Sequence, residues 1–417
     1  MITRSSRLTH VAYDIRGEIY EQSQALAKQG HQILSLHIGD PAPFGYKVPE
    51  SIIKNMAANL ERAQGYGDAI GLLEAREALQ VAYAKRNFTD LQLEDIYVGN
   101  GVSELALISL QALLNDGDEV LVPTPDYPLW TSAVNLFGGK TVYYRCDEAA
   151  NWYPDPEDIR QKITSRTKGI VLINPNNPTG AVYPADVLKR IADIAAEHNL
   201  VIFSDEIYDK ILYDGVQHTS IATLNEDVIC LTFSGLTKNY RVPGFRAGWM
   251  IISGPKQKAT DYIGGITLLA NLRVCGNQQV QFAIKAVLEG HQCIEDLTAP
   301  GGRLRIQRDL CYQKISQIPG VRCSKPMGAF YMFGKLNLAK FDLASDYDFV
   351  LKLLKEEKVL IVHGTGFNHY TNDHFRVVFL PDTEILTTAI NRMAAFLERH
   401  QSKKETRIQL GEGIQLK

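Results

Sequence analysis

The sequence predicts an α/β fold with a mostly parallel central sheet covered by helices, together with a smaller α+β domain. Short apolar segments alternate with helical segments between residues 96 and 252, which is typical of strands buried on both faces of a parallel sheet. After about residue 295 the pattern changes to charged helices and mixed strands. We therefore predict a large domain over 48–295 and a small domain formed by 1–47 together with 296–400.

The individual elements are predicted from hydrophobic periodicity and from turn residues. Helices are predicted over 14–30, 49–63, 72–86, 103–114, 128–137, 184–198, 302–318, 347–357 and 382–399. Strands are predicted over 33–38, 96–98, 119–123, 140–144, 170–173, 200–203, 228–233, 247–252, 321–333, 359–362 and 374–380. The polar tail at 401–417 is predicted to be poorly ordered.

The overall composition is that of an ordinary globular protein, with 45% hydrophobic and 22% charged residues in a chain of 417. A net charge of −3 gives no sign of a surface for nucleic acid or for a membrane. The six cysteines are scattered without metal-like spacing, so we expect reduced thiols, a cytoplasmic location and no metal site. No stretch approaches about 18 consecutive apolar residues, so neither a signal peptide nor a membrane span is expected.

The stretch at 234–249, SGLTKNYRVPGFRAGW, holds one lysine among small and polar residues, Lys238, followed by Arg246. A lysine that reacts with a carbonyl needs a neutral amine near neutral pH, and burial beside another cation favours that form. An arginine binds a phosphate with its planar fork of donors. A reactive lysine with a phosphate-binding arginine is what pyridoxal 5'-phosphate requires.

Two further residues follow an apolar strand at a point where α/β sheets bind ligands. Asp205 lies at the end of the apolar strand at 201–203 and is a candidate partner for a protonated pyridine nitrogen. Its alternative role is that of a helix N-cap. Tyr208 lies three residues on, and we expect its hydroxyl to bond the phenolic oxygen of the cofactor, with a half-buried core tyrosine as the alternative.

Three more segments lie at predicted strand ends. The loop NPNNPTG at 174–180 holds Asn177 rigidly between prolines, which suits a contact with the same phenolic oxygen and with a substrate carboxylate. The segment NGVSE at 100–104 opens a helix, so the main chain at Gly101 and Val102 and the Ser103 hydroxyl face a phosphate. Tyr127 is expected to stack on the cofactor ring.

The order and spacing of Asn177, Asp205, Tyr208, Lys238 and Arg246 resemble those of the class I/II aminotransferases of fold type I, which depend on pyridoxal phosphate. The resemblance extends over nearly all of residues 1–400. Within that family the chain is most similar to the bacterial alanine (glutamate–pyruvate) aminotransferases, through the segments YDIRG, IGDPAPFG, NGVSEL, PTPDYPLW, NPNNPTGAVY, DEIYDKILYD, GLTKNYRVPGFRAGW and KPMGAFYMF.

The resemblance implies a role for each matching residue. Lys238 is the implied Schiff-base lysine, and Arg376 is the implied clamp on the substrate α-carboxylate. Gly39 matches a position where the backbone approaches that carboxylate. Tyr66 matches a tyrosine that reaches the phosphate of a neighbouring subunit, which implies a homodimer with shared sites. One departure is Gly235, which stands where many relatives have a phosphate-binding serine.

The expected reaction is the interconversion of L-alanine and 2-oxoglutarate with pyruvate and L-glutamate by a ping-pong mechanism. Candidates for the distal carboxylate of glutamate are Arg16, in an N-terminal arm with Tyr13, and Arg273; the alternative for each is an ordinary surface arginine. Other activities of the same residue set remain open, namely aromatic or aspartate amino transfer and carbon–sulfur β-elimination. A non-enzymatic sensing module is disfavoured because no DNA-binding segment accompanies the catalytic set.

Overall fold

The computed structural model describes residues 2–291 and 293–402, and it contains two main sheets. The strands are β1 (Leu34–Ser35), β2 (Ile96–Gly99), β3 (Glu119–Thr124), β4 (Lys140–Asp147), β5 (Tyr153–Pro154), β6 (Thr167–Ile173), β7 (Val201–Asp205), β8 (Cys230–Gly235), β9 (Gly248–Ser253), β10 (Val321–Cys323), β11 (Tyr331–Leu336), β12 (Val359–Leu360), β13 (Val362–His363) and β14 (His374–Val378).

The helices lie mainly between these strands. They are α1 (Glu18–Lys28), α2 (Glu50–Ala58), α3 (Leu73–Ala84), α4 (Val102–Leu113), α5 (Leu129–Leu136), α6 (Pro156–Lys162), α7 (Ala185–Glu197), α8 (Leu236–Asn239), α9 (Thr260–Leu272), α10 (Gln278–Glu289), α11 (Cys293–Thr298), α12 (Arg303–Ser316), α13 (Asp346–Glu357) and α14 (Thr383–Arg399). None of these described helices combines the length and apolarity that a membrane crossing needs.

The central sheet has the strand order β2-β9-β8-β7-β6-β3-β4-β5. Strands β3, β4, β6, β7 and β8 all run in the same direction and form parallel pairs. Strand β9 pairs antiparallel with β8 and β2, and the edge strand β5 pairs antiparallel with β4. Alternate residues of β6 enter different cores, since Val171 and Ile173 pack on one face and Ile170 and Leu172 on the other. The sheet is therefore covered on both faces, which confirms the predicted α/β class.

The second sheet is antiparallel, with the order β10-β11-β14-β13; α12 precedes its first strand, α13 lies between β11 and β13, and α14 follows β14. The N-terminal segment joins this part of the chain because β1 pairs in parallel with β12, with Leu34 opposite Val359. The domain boundaries at 47/48 and 295/296 stay a prediction. At the C-terminus, Gln401 bridges to Phe341, and residues 403–417 of the predicted tail lie outside the described residues.

Several helices were not predicted from the sequence, namely α6, α8, α9, α10 and α11. In α9 the apolar residues are spread around the whole helix, and Gly264 and Gly265 lower its intrinsic helix propensity. Only Ile266 and Ala270 of this helix are buried, one turn apart. The sequence of α9 therefore shows no clear helical spacing of apolar residues, although α9 is a regular helix.

Helix α12 is held against the segment after β7 by a buried arginine. The Arg308 guanidinium donates two parallel hydrogen bonds to the Asp214 carboxylate, at 2.8 and 3.0 Å, and one to the Pro326 carbonyl at 2.9 Å. Arg308 is fully buried, and the nearby Arg305 reaches the same carboxylate at 2.7 Å from a more exposed position. These contacts join distant parts of the chain.

We expect Arg308→Met to lower the free energy of unfolding by about 3 kcal/mol, because it removes the charge-assisted bonds that a fully buried guanidinium makes. Arg305→Met is the matched control, and its loss should be about 1 kcal/mol or less, as for an exposed ion pair. Urea unfolding followed by tryptophan fluorescence measures both changes. Equal losses in the two variants would contradict the importance given to the buried arginine.

Candidate active site

A cavity of about 440 Å³ opens where the parallel strands of the central sheet end. Loops at the carboxyl ends of β3, β6, β7 and β8 contribute to its wall, as expected for a ligand site in an α/β sheet. The cavity is lined by Tyr13, Ile15, Arg16, Ile38, Gly39, Asp40, Val102, Ser103, Tyr127, Leu129, Ile173, Asn177, Asp205, Ile207, Tyr208, Thr237, Lys238, Pro243, Arg246, Tyr331 and Arg376.

The amine of Lys238 projects from the short helix α8 that follows β8. Its Nζ donates a hydrogen bond to the carbonyl oxygen of Gly39 at 2.7 Å. Burial is the main cause that lowers the pKa of Lys238 to about 8, and the Arg376 guanidinium lowers it further, while the Asp40 carboxylate opposes the shift. The neutral amine that sequence reasoning required is therefore accessible near neutral pH.

Gly39 lies across the cavity from Lys238 and has no room for a side chain. A Cβ atom at this position would lie 2.2 Å from the Tyr331 hydroxyl and 2.6 Å from the Phe330 ring. The main chain therefore lies closer to the cavity at Gly39 than it could if this residue carried a side chain. This close approach accords with the implied position of Gly39 beside a bound carboxylate.

Asp205 is the last residue of β7 and is buried at the base of the cavity. The Trp130 indole N–H donates to Oδ2 at 3.0 Å, and the Ile207 backbone N–H donates to Oδ1 at 3.3 Å. Burial raises the pKa of Asp205 to about 6, and the hydrogen bond from Trp130 is the largest opposing influence. No helix begins at Asp205 in the described chain, so the N-cap alternative is wrong.

Tyr208 lies on the cavity wall and shares a hydrogen bond of 2.7 Å with the hydroxyl of Tyr331. Burial raises the pKa of Tyr208 well above that of a free phenol and raises the pKa of Tyr331 to about 12. Both hydroxyls therefore keep their protons at neutral pH. Sequence reasoning missed Tyr331, although the KPMGAFYMF segment contains it.

Arg376 lies on β14 of the second sheet, and it is buried where this sheet meets the central one. Its Nη1 donates to Asn177 Oδ1 at 2.8 Å, and Nη2 donates to the carbonyl of His37. The guanidinium lies between the rings of Tyr331 and Phe367, with its central carbon 4.5 Å from each centroid. The Nε of Arg376 has no hydrogen-bond partner among the described residues, and this leaves a donor for an anionic ligand.

Asn177 is held by its own loop, as sequence reasoning predicted. Asn176 Oδ1 accepts hydrogen bonds from the backbone and hydroxyl of Thr179, at 3.1 and 2.8 Å. Asn174 Oδ1 accepts from the backbone N–H of Tyr183 at 2.9 Å. These local bonds and the two prolines fix the loop that carries Asn177 to the cavity.

The opposite end of the cavity is basic. Arg246 Nη1 and Nη2 donate to the carbonyls of Pro243 and Asn100, at 2.9 and 3.1 Å. Gly101 has a φ of +85°, and a Cβ atom there would lie 2.4 Å from Arg246 Nη2. The N-terminus of α4 begins directly after this glycine, with Val102 and Ser103 in the wall. Backbone N–H groups, a hydroxyl and a guanidinium thus meet at one place, which suits a phosphate.

The N-terminal arm lies over the mouth of the cavity. The Tyr13 hydroxyl is 2.9 Å from the Tyr127 hydroxyl, and the two rings meet edge to face. Arg16, on the same arm, is exposed and lines the cavity. Thr237, which precedes Lys238 and was missed from the sequence, also lines it.

Two predicted site residues are not brought to the cavity. Arg273 forms an ion pair with Glu104 and donates to the Ala69 carbonyl at 2.5 Å, so its guanidinium is engaged within the fold. Tyr66 is 89% exposed. It is absent from the cavity wall, and its role in a neighbouring subunit stays a prediction.

A separate cluster of possible metal ligands lies at the second sheet. Ligand atoms of His369, Asp373 and His374 lie within 4.8 Å of one another. The Lys335 ammonium lies 3.8 Å from Asp373 and 3.0 Å from Glu148, so a cation already neutralises these carboxylates. The expectation of no metal site stays a prediction.

The chain is similar over nearly its whole length to curated aminotransferases. Glutamate-pyruvate aminotransferase AlaA of Haemophilus influenzae is 52% identical over 401 residues, which cover 96% of this chain and 99% of the relative. Alanine aminotransferase of Mycobacterium tuberculosis is 50% identical over 395 residues, which cover 94% of this chain and 92% of the relative.

Solved structures show the same similarity. An aminotransferase from Escherichia coli has a TM-score of 0.95 and 51% identity, covering 96% of this chain and all of that one. Alanine aminotransferase from Pyrococcus furiosus has a TM-score of 0.91 and 39% identity, covering 95% and 100%. The family described as aminotransferase class I and II matches residues 31–393. The family inferred from the sequence motifs is thereby confirmed, and the chain belongs to the class I and II aminotransferases.

Proposed function

We propose that the chain is an alanine transaminase, which interconverts L-alanine and 2-oxoglutarate with pyruvate and L-glutamate. The observation that carries this proposal is the convergence of Lys238, Asp205 and Arg376 on one cavity, in a chain about half identical to relatives named for this activity. The same cavity would serve both half-reactions in turn, with one substrate leaving before the next one binds. This is the basis of a ping-pong mechanism.

Pyridoxal 5'-phosphate is the cofactor of this family in general, and the cavity suits it. The basic end, with Gly101, Ser103 and Arg246, would hold the phosphate. The buried Asp205 carboxylate would face the pyridine nitrogen, and the Tyr127 ring would cover the cofactor ring. Tyr208 and Asn177 would bond the phenolic oxygen. When bound, the cofactor withdraws electrons from the carbon that carries the substrate amino group.

Each protein group then has one task. The Arg376 guanidinium binds the α-carboxylate of the substrate, and its Nε supplies a donor that the fold leaves free. Lys238 Nζ would accept the proton from substrate Cα, which a neutral amine with a pKa of about 8 is suited to do. Asp205 would hold its negative charge next to the pyridine nitrogen. The Tyr208 hydroxyl, which shares a hydrogen bond with the Tyr331 hydroxyl, would donate to the phenolic oxygen of the cofactor.

The distal carboxylate of glutamate needs a cation, and we assign Arg16 to it. Arg16 lines the cavity on the arm that also carries Tyr13, whereas Arg273 is engaged with Glu104 outside it. An exposed arginine on an arm can approach a long substrate and withdraw from a short one, which accommodates both glutamate and alanine. Aromatic or aspartate amino transfer and β-elimination use the same lysine and carboxylate clamp, and the names of the relatives favour alanine.

We also propose a homodimer in the cytoplasm. Leu268 and Leu272 of α9 are 60% and 72% exposed and lie one turn apart, which is unusual for large apolar side chains that face water. Tyr66 is also exposed and not part of its own cavity, which suits a contact with the phosphate in a second subunit. The six cysteines form no disulfide, in accord with a reducing compartment.

Lys238→Ala is expected to lower the rate of amino transfer at least about 10³-fold, because it removes both the nucleophile and the base. The assay measures pyruvate formed from L-alanine and 2-oxoglutarate, with L-aspartate and L-tyrosine tested as alternative donors. Lys189→Ala, at an exposed ion pair on α7, is the control and should remain active. Retained turnover in Lys238→Ala would refute the catalytic assignment, and a preference for tyrosine or aspartate would refute the assigned substrate.

The rate at which the cofactor-free protein captures pyridoxal phosphate should rise about tenfold per pH unit below pH 8 and level off above it. The reason is that only the neutral amine of Lys238 reacts, and its pKa is lowered to about 8 rather than raised. Stopped-flow absorbance measures this profile. Arg376→Met removes a cation and should move the midpoint to higher pH. A midpoint near that of a solvated lysine in the unmodified protein would contradict the role given to burial.

Arg16→Ala is expected to raise KM for 2-oxoglutarate and glutamate by about 10- to 100-fold, because a charge-assisted hydrogen bond to the distal carboxylate is lost. KM for alanine should change little, since alanine has no second carboxylate. Arg273→Ala is the matched control and should leave both KM values unchanged. An unchanged KM for 2-oxoglutarate in Arg16→Ala would remove Arg16 from the substrate site.

A further inference from the structure

We propose that Trp130 is a positioning residue for Asp205, whose indole N–H holds the carboxylate ionised and aimed at the ring-nitrogen position of the cofactor. The inference rests on the proposed function, because it concerns how the pyridine partner is prepared. The geometry that carries it is the 3.0 Å hydrogen bond from Trp130 Nε1 to Asp205 Oδ2, between two side chains that are both buried.

The hydrogen bonds around Asp205 leave it only one role. An indole N–H donates and cannot accept or lose a proton in this pH range, so Oδ2 must act as an acceptor towards it. Oδ1 accepts from the Ile207 backbone N–H at 3.3 Å. Each carboxylate oxygen therefore faces a donor, and a proton on Asp205 would gain no acceptor from these two groups. The arrangement favours the anion in a place where burial by itself would favour the acid.

The position of the indole is itself fixed by packing. Its ring meets the Phe233 ring edge to face, with 5.3 Å between centroids, and lies 6.0 Å from the Phe203 ring. Phe203 belongs to the same strand as Asp205, and Phe233 is paired with Asp205 on the neighbouring strand. A small rotation of Trp130 would therefore collide with the strands that carry its partner.

Trp130 also links Asp205 to the cofactor-covering tyrosine. Tyr127 precedes α5 and Trp130 lies within its first turn, and the Trp130 backbone N–H donates to the Tyr127 carbonyl at 3.1 Å. One short segment thus carries the ring expected to stack on the cofactor and the donor that orients the pyridine partner. Displacement of Tyr127 would therefore shift Trp130, and displacement of Trp130 would shift Tyr127.

The test compares two cofactors in equilibrium binding to the cofactor-free protein: pyridoxal phosphate and 1-deazapyridoxal phosphate, in which a C–H replaces the ring nitrogen. The unmodified protein should prefer pyridoxal phosphate, since only this molecule pairs with the Asp205 carboxylate. Trp130→Phe keeps an aromatic ring but removes the donor. We expect it to lower the preference about tenfold through weaker binding of pyridoxal phosphate, with little change for the analogue.

Trp249→Phe provides the matched control. Trp249 is also buried and donates its indole N–H to a buried tyrosine, Tyr83, at 2.8 Å, but Tyr83 does not line the cavity, whereas Asp205 does. The same substitution there should leave the preference between the two cofactors unchanged. Replacement of Trp130 by β-(3-benzothienyl)alanine, which substitutes sulfur for the N–H in a ring of the same shape, supplies a second variant that preserves packing.

The outcomes separate the inference from the function on which it rests. An unchanged preference in both Trp130 variants would overturn it, as would an equal loss of affinity for the two cofactors, since that result would show a packing role. A tenfold loss of preference at Trp130, and none at Trp249, would support it. If the unmodified protein bound neither cofactor, the proposed function itself would fail, and the inference would fail with it.

Discussion

The parallel pairing of β6, β7 and β8 is the constraint on which the site depends. In this register Ile173, Asp205 and Phe233 lie side by side, so the three strands end at one edge of the sheet. The segments that follow these strands carry Asn177 and Lys238 to the same cavity that Asp205 enters from β7. Parallel strands joined by helices always end at the same edge, and residues far apart in the chain thereby meet.

A second constraint is that the charges in this cavity are buried together. The positive charges of Arg376 and Lys238 repel each other. Deprotonation of the lysine removes this repulsion, and the pKa of Lys238 is lowered accordingly. Burial has the opposite effect on the pKa of Asp205, which it raises because it favours the neutral form of the carboxyl group. Its hydrogen bonds to Trp130 and Ile207 offset part of that cost. The protein thus favours an uncharged amine and an ionised carboxylate in the same small volume, and this combination suits the chemistry of its family.

The second sheet completes the site from the other side. It supplies Arg376 from β14 and Tyr331 from β11, on paired strands. Contacts across the junction keep them in place: Arg376 bonds Asn177, and the Tyr331 hydroxyl bonds Tyr208. A further tie is the buried Asp126, which accepts hydrogen bonds from Thr131 and Asn368. Movement between the sheets would therefore change the distance from the carboxylate clamp to the reactive amine.

The sequence by itself determined the α/β class, the main strands and the residues at their ends, because apolar runs, turn residues and strand-end motifs are local patterns. Lys238, Asp205, Tyr208, Asn177 and the NGVSE segment were placed in this way, and all contribute to or adjoin the cavity. Helix α9 was missed, since the apolar residues spread around it hide its helical period.

Only the tertiary structure decided which groups hold the site in position. The bond from Trp130 to Asp205 spans 75 residues of sequence, and that between Tyr208 and Tyr331 spans 123. Likewise, Arg16 and Arg273 looked equivalent as cations until packing placed one at the cavity and paired the other with Glu104. The physical reason is that such contacts depend on how strands, helices and the two sheets pack. That packing cannot be read from the sequence pattern of any single segment.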